Sequence, residues 1–104
     1  MALTVFEQDV LVATKKISKG RVSSYKEVAM TIGRPQASRA VGNALHKNPY
    51  APIVPCHRVV KSNGELGGFG GGIKNKIKIL ASEGVEVKNK KIVNFKKVFY
   101  KFLV

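Results

Sequence analysis

Apolar residues in the first half of the chain recur at the three- and four-residue spacing of an amphipathic helix. The first stripe consists of Phe6, Val10, Ala13 and Ile17. Thr4 followed three residues later by Glu7 forms a capping box, and Gly20 is a helix-stop signal. We therefore expect a first amphipathic helix between these signals.

A second capping box, Ser24 and Glu27, begins the next helical pattern, which ends at Gly33. Its apolar face consists of Tyr25, Val28, Ala29 and Ile32. Residues 33–35, Gly-Arg-Pro, then make a tight break before a third helical pattern. Two helices joined by so short a turn are typical of a helix-turn-helix motif.

The third pattern separates an apolar face from a polar one. Its apolar stripe consists of Ala37, Ala40, Val41, Ala44 and Leu45. The opposite face carries Arg39, Gly42, Asn43 and His46. Such a face can contact nucleic acid, although a solvated polar helix face looks the same in the sequence.

Three prolines in residues 48–55 exclude a helix and predict a rigid, extended path into Cys56. The apolar residues Ile53, Val54, Val59 and Val60 around it predict a buried, strand-like environment that partly shelters the cysteine. Residues 64–72 hold six glycines around Phe69. That loop offers many free backbone amides, or is simply a flexible linker.

A fourth helix is predicted from Ile73, Ile77, Leu80 and Ala81, with Gly84 just beyond its end. Glu83 in the last turn opposes the helix dipole, which indicates a specific partner for this carboxylate. Residues 85–87 and 91–93 are predicted to form a small hairpin, and aromatic residues in 95–102 to pack the tail onto the core. The fold class that follows is mainly α, a winged-helix-like helix-turn-helix DNA-binding domain with a small C-terminal β-hairpin.

Length and composition limit the possible functions. With 104 residues and 44% hydrophobic residues, we expect one globular domain covering residues 1–104. The 19 Lys and Arg against 6 Asp and Glu give a net charge of +13. This charge suits a polyanion, either nucleic acid or an anionic membrane, although it also suits a solubility surface. Charge alone does not distinguish a nucleic acid from a membrane or from a solubility surface, so sequence motifs are required.

The single cysteine and two histidines make an internal disulfide impossible and a structural zinc site improbable. The chain has no long apolar run and no signal-peptide pattern at its start. We therefore expect a protein that is not membrane-bound or exported and works in a reducing interior, cytoplasmic or, in a eukaryote, nuclear. There, a free thiol can serve as a reagent.

The cysteine lies in the sequence Pro-Cys-His-Arg-Val, residues 55–59, after the helix-turn-helix and before the glycine loop. With this motif the chain resembles the O6-alkylguanine-DNA alkyltransferases, whose active-site signature is the same five residues. The likeness extends to residues 21–29, 38–45, 48–49, 62–72 and 83–84. It covers most of the chain.

The resemblance implies a role for each of five residues. Cys56 is the nucleophile, His57 is the base that activates it through a water molecule, and Glu83 orients the histidine. An adjacent base helps because a free thiol is only slightly ionised at neutral pH. Tyr25 donates a proton or hydrogen bond to the guanine ring, and Asn48 ties the recognition helix to the active-site segment. The family's reaction requires no cofactor or metal.

The partner implied by the resemblance is double-stranded DNA containing O6-alkylguanine, bound in the minor groove by a monomer. Arg39 would fill the gap in the base stack left by the flipped nucleotide. The other expected DNA contacts are Ser38, Gly42, Asn43 and Arg58. The expected base pocket consists of Val59, Phe69, Gly70 and Gly71.

The sequence also departs from the family and leaves alternatives. Larger members carry an additional N-terminal domain, and many have Tyr and Ser where this chain has Phe69 and Gly70, which predicts a more open pocket wall. Alkyltransferase-like proteins share this length and recognise the lesion without transferring the group, but typically carry Trp in place of the cysteine. A helix-turn-helix transcription regulator is a third interpretation. It does not explain why Cys56, His57 and Glu83 occur together with a glycine loop.

Overall fold

The structure is a computed structural model that describes residues 3–102, and within them five α-helices accompany two small two-stranded sheets. The helices are α1 (Val5–Lys15), α2 (Tyr25–Thr31), α3 (Ser38–His46), α4 (Ile73–Ser82) and α5 (Phe95–Val98). The strands are β1 (Ser23–Ser24), β2 (Val59–Val60), β3 (Val87–Lys88) and β4 (Lys91–Ile92). The predicted fold class, mainly helical with a small C-terminal hairpin, is confirmed. None of the helices in the described part is long and apolar enough to cross a membrane.

The two predicted capping boxes differ in the structure. At α1 both halves form: Thr4 Oγ1 accepts from the Glu7 N–H at 3.0 Å, and Glu7 Oε1 accepts from the Thr4 N–H at 2.9 Å. At α2 only Ser24 Oγ caps the helix, accepting from the Glu27 N–H at 2.9 Å. The Glu27 carboxylate instead accepts from the Phe102 N–H at 3.1 Å, so it anchors the C-terminal tail.

Helices α1, α2 and α3 pack around the larger of two apolar clusters. The buried residues that they contribute are Val10, Leu11, Ala13, Val28, Ala29, Val41, Ala44 and Leu45. Arg39, Asn43 and His46 on α3 face outward, as predicted. Ala40, which the sequence placed on the apolar stripe, is exposed because it lies at the edge of that stripe. The helix-turn-helix therefore presents the polar face of α3.

The extended path predicted for residues 48–55 is wrong, because the segment folds into a compact turn. The Val54 N–H donates to the Tyr50 carbonyl at 2.9 Å. Asn48 closes the same turn, since its Nδ2 donates to the Val54 carbonyl at 2.8 Å and its Oδ1 accepts from the Tyr50 N–H at 2.9 Å. Ile53, predicted to be buried, is 72% exposed at the tip. The chain then enters a short 3-10 helix, Cys56–Arg58.

A short parallel pairing positions the active-site segment. Strand β1 pairs with β2 in the register Ser23 with Val59 and Ser24 with Val60. Tyr25 directly follows β1 and Cys56 lies three residues before β2, so these two residues lie at opposite ends of the parallel pair, and the pairing fixes the two segments that carry them against each other.

The second apolar cluster joins α4, the hairpin and the tail. Strands β3 and β4 pair antiparallel, and Asn89 and Lys90 between them have positive φ values of 52° and 62°. Two such residues make the tight turn that suits a two-residue hairpin. Phe102 is buried in the larger cluster, which confirms that the aromatic tail packs onto the core.

Candidate active site

A cavity of about 560 Å³ opens between α2, α3, the glycine loop and the start of the 3-10 helix. Its lining consists of Tyr25, Ser38, Arg39, Gly42, Asn43, Leu45, His46, Cys56, Lys61, Gly67, Gly68, Phe69 and Gly70. The structure therefore brings together predicted residues from four separate segments of the chain. The half-buried thiol of Cys56 is part of the wall, where a ligand in the cavity can reach it.

The predicted pair of His57 and Glu83 forms, with His57 Nε2 lying 3.1 Å from Glu83 Oε2. Glu83 is also held by Arg58, whose Nε and Nη2 donate to its two oxygens at 3.0 and 2.7 Å. Burial raises the pKa of Glu83, but the hydrogen bonds from Arg58 and His57 outweigh it and hold the pKa below its ordinary value. Glu83 is therefore an ionised acceptor.

The protonation state and tautomer of His57 depend on the Glu83 carboxylate. Burial lowers the pKa of His57, and the opposing effect of Glu83 only partly offsets it, so the imidazole is neutral at neutral pH. Because an ionised carboxylate has no proton to give, we assign the ring hydrogen to Nε2. Nδ1 is then the basic nitrogen, and His57 is both fixed in orientation and ready to accept a proton.

Arg58 was expected to contact DNA, and the structure gives its guanidinium a different position. Besides its two bonds to Glu83, its Nη1 donates to the Ile17 carbonyl at 2.8 Å. The side chain is only 15% exposed. Arg58 thereby links the Glu83 carboxylate to the residues that follow α1, and its three hydrogen bonds fix Glu83 in place.

Tyr25 lies between α3 and the glycine loop. A Cβ on Gly67 would be 2.7 Å from the Tyr25 hydroxyl, and this glycine has a φ of +71°, so no other residue suits the position. The hydroxyl donates a long hydrogen bond of 3.4 Å to the Gly68 carbonyl. Burial, with a smaller effect of charge on Cys56, raises the pKa of Tyr25. Tyr25 therefore remains a protonated donor that faces the cavity.

Lys76, which sequence reasoning did not single out, is completely buried on α4. Its ammonium donates to three backbone carbonyls, those of Val59 at 2.8 Å, Leu66 at 2.6 Å and Gly68 at 3.2 Å. It thereby joins β2 to the glycine loop. A signal was present in the sequence, because position 76 falls on the helical stripe of Ile73, Ile77 and Leu80.

The same ammonium lies close to Tyr25. Lys76 Nζ is 6.0 Å from the centre of the Tyr25 ring. Burial lowers its pKa to about 8, although negative charge on Cys56 acts in the opposite direction. The Lys76 ammonium is therefore within electrostatic range of Cys56.

Some of the remaining predicted site residues line the cavity, and the others lie outside its lining. Phe69 and Gly70 line the cavity, and Val59 and Gly71 do not. The Val59 carbonyl is held by Lys76, and Gly71 is exposed against the Phe69 ring, where a Cβ would lie 2.9 Å from a ring carbon. Asn48 shapes the turn before Cys56, as expected, and is outside the cavity lining.

Comparisons with known proteins identify relatives of this chain. A methylated-DNA–protein-cysteine methyltransferase of Methanosarcina acetivorans is 48% identical over 81 residues, 78% of this chain and 52% of its own length. The crystal structure of Mycobacterium tuberculosis OGT in complex with DNA superposes with a TM-score of 0.77 and 49% identity, over 79% of this chain and 51% of that one. The chain spans about half the length of the curated relatives that it matches.

A third similar protein matches along its whole length. S. pombe Atl1, in complex with damaged DNA containing O6-carboxymethylguanine, gives a TM-score of 0.85 at 30% identity and covers 97% of this chain and 99% of its own. The family model described as 6-O-methylguanine DNA methyltransferase, DNA binding domain, matches residues 5–85. The chain therefore belongs to the 6-O-methylguanine DNA methyltransferase family, through its DNA-binding domain.

Proposed function

We propose that this protein repairs DNA by transferring an alkyl group from the O6 atom of guanine to Cys56, once per molecule. The observation that carries the proposal is the half-buried Cys56 thiol in the wall of a cavity that Tyr25 and Arg39 also line. The named relatives support it, since methylated-DNA–protein-cysteine methyltransferases match at 40–50% identity.

The nucleophile requires a route for its proton. In the proposed step the Cys56 proton passes through a water molecule to Nδ1 of His57, while Glu83 stabilises the imidazolium that forms. The thiolate attacks the alkyl carbon, a C–S bond forms, and the bond from that carbon to O6 breaks. The buried ammonium of Lys76 lies within electrostatic range of this sulfur.

The leaving guanine takes up negative charge as the bond breaks. Tyr25 supplies a donor to the ring, because burial keeps its hydroxyl protonated at neutral pH. Gly70 also lines the cavity, and we propose its backbone amide as a further donor to the base. The C–S bond of the resulting thioether is not readily cleaved at neutral pH, so each protein molecule reacts once.

The substrate nucleotide has to leave the duplex to reach the thiol. We propose that a single molecule places α3 in the minor groove, with Ser38, Gly42 and Asn43 along the DNA. Arg39 is exposed at the cavity rim, where it can enter the gap left by the flipped base.

Intact-mass spectrometry tests this function. After mixing with duplex containing O6-methylguanine, the wild-type protein should gain the mass of one methyl group, and Cys56→Ser should gain none while still binding the duplex. A wild-type protein that binds the lesion but gains no mass would refute the proposal.

That negative outcome would match a second candidate function, lesion recognition without transfer. The likeness to S. pombe Atl1 over nearly the full length of both chains favours it. The cysteine in the cavity wall favours transfer, because a recognition protein requires no nucleophile there. The mass measurement separates the two functions directly.

A further inference from the structure

The C-terminal tail, residues 98–102, runs parallel to the chain that leads into β1. Val22, directly before β1, donates its N–H to the Val98 carbonyl at 3.0 Å and accepts from the Tyr100 N–H at 2.6 Å. Phe99 forms a parallel bridge with Val22. The segment that carries β1 is therefore held by the tail as well as by β2.

Side-chain hydrogen bonds join the tail to residues on both sides of Tyr25 in the sequence. Before it, Ser23 is completely buried, and its Oγ donates to the Tyr100 carbonyl at 2.9 Å. After it, Glu27 Oε2 accepts from the Phe102 N–H at 3.1 Å. The tail is thus bonded two residues before and two residues after the donor that the proposed function requires.

Aromatic packing fixes the tail that makes these bonds. Phe102 is buried in the larger apolar cluster, and Tyr100 packs against the same cluster. The two rings meet edge to face, with their centroids 5.0 Å apart. A segment anchored in this way can restrain the residues that are bonded to it.

Tyr25 has little room to move. On one side, a Cβ on Gly67 would lie 2.7 Å from its hydroxyl, and on the other, a Cβ on Gly42 would lie 3.7 Å from its ring. The side chain therefore occupies a slot between α3 and the glycine loop. Because a misplacement of about 1 Å can slow a reaction about a hundredfold, the position of the first turn of α2 matters for transfer.

We propose that the C-terminal tail is a positioning element for alkyl transfer, which holds the start of α2 so that the Tyr25 hydroxyl meets the departing guanine. The inference rests on the proposed function, in which Tyr25 is the donor. The lining of the active-site cavity includes none of residues 98–102, so the tail acts through the residues that it binds. It also lies beyond residues 5–85, which the family model matches.

Single-turnover transfer from free O6-benzylguanine tests the tail without requiring DNA binding. Glu27→Ala and Ser23→Ala each remove one contact with the tail, and each should slow transfer about tenfold. Glu27→Gln keeps an acceptor oxygen for the Phe102 N–H and should restore the rate to within about twofold of the wild type. Glu86→Ala removes an exposed carboxylate outside the cavity lining, so it is the matched control and should keep the wild-type rate.

A double-mutant cycle with Tyr25→Phe separates positioning from stability. When the hydroxyl is absent, Glu27→Ala and Ser23→Ala should change the rate by less than about twofold. Melting temperatures check that every variant is folded at the assay temperature. A tail that only stabilises the fold would slow transfer by the same factor with and without the hydroxyl, and that result would overturn the proposal. Wild-type rates in both tail variants would overturn it as well.

Failure of the proposed function would give a different result, because the wild type would then gain no benzyl group at Cys56. The tail is tested separately by NMR of protein labelled with ¹³C-tyrosine, in which the Tyr25 signal is identified by its loss in Tyr25→Phe. Burial raises the pKa of Tyr25, so a hydroxyl released from its slot should ionise at lower pH in Glu27→Ala than in Glu86→Ala. Equal pKa values of Tyr25 in these two variants would contradict the proposal.

Discussion

Replacing the buried Lys76 with methionine should abolish a rise in the free energy of unfolding that the wild type shows as the pH becomes alkaline. Methionine fills a similar volume and removes the titrating ammonium, so Lys76→Met isolates the effect of its charge. Lys76 is fully buried, and its pKa is lowered from 10.5 to about 8. The magnitude follows from that difference, because one pKa unit corresponds to about 1.36 kcal/mol.

The direction follows from proton binding in the two states. Between pH 8 and 10.5 the unfolded chain keeps the Lys76 proton and the folded protein releases it. The unfolded state then binds more protons, so the free energy of unfolding rises with pH in this window. We expect Lys76 to contribute a rise of about 3 kcal/mol, which Lys76→Met lacks. The raised pKa of Tyr25 acts oppositely at still higher pH, but it affects both proteins alike.

Urea unfolding at several pH values between about 7.5 and 10.5 provides the assay. The quantity to follow is the difference in unfolding free energy between the wild type and Lys76→Met. Lys78→Met, at an exposed position on the same helix, is the control and should track the wild type. A difference that stays constant within about 0.5 kcal/mol across this range would show that the folded state does not depress the pKa of Lys76.

Three further substitutions test the site itself. Glu83→Gln removes the carboxylate that raises the pKa of His57, so the acidic limb of the pH–rate profile should move to lower pH. The maximal transfer rate should also fall about a hundredfold. An acidic limb that does not move would show that His57 is not the base. Gly67→Ala should slow transfer on the order of a hundredfold by displacing Tyr25, whereas Gly72→Ala, which also has positive φ but meets nothing within 4 Å, should cost only stability. Arg39→Ala should slow transfer from duplex DNA far more than from free O6-benzylguanine, which requires no flipping, and equal losses would exclude the plug role.

Local signals in the sequence predicted most of the helical fold. The capping pair Thr4 and Glu7, the stripes of α1 to α4 and the hairpin around Asn89 each depend on residues a few positions apart. Such signals are read reliably because the partners are close in sequence. The α2 box formed only in part, since the Glu27 carboxylate has a partner 75 residues away.

The supporting parts of the site depend on contacts between distant segments. The pairing of β1 with β2 involves two residues on each side, too few to give a periodic pattern. Arg58 looked like a DNA contact because a cation near an active site has several possible partners, and only the fold places it against Glu83. A charged residue in an apolar stripe, as at Lys76, is the one such feature that helical spacing alone could have indicated.

The proposed function requires that Cys56 accepts one alkyl group and then reacts no further. Its most direct test is a titration in which a fixed amount of protein is mixed with increasing O6-methylguanine duplex, and both repaired DNA and the modified peptide are measured. We expect repair to reach a plateau at one lesion per protein molecule, with the methyl group on the peptide that contains Cys56. Repair that continues past that plateau without an added thiol, or a methyl group on any other residue, would contradict it.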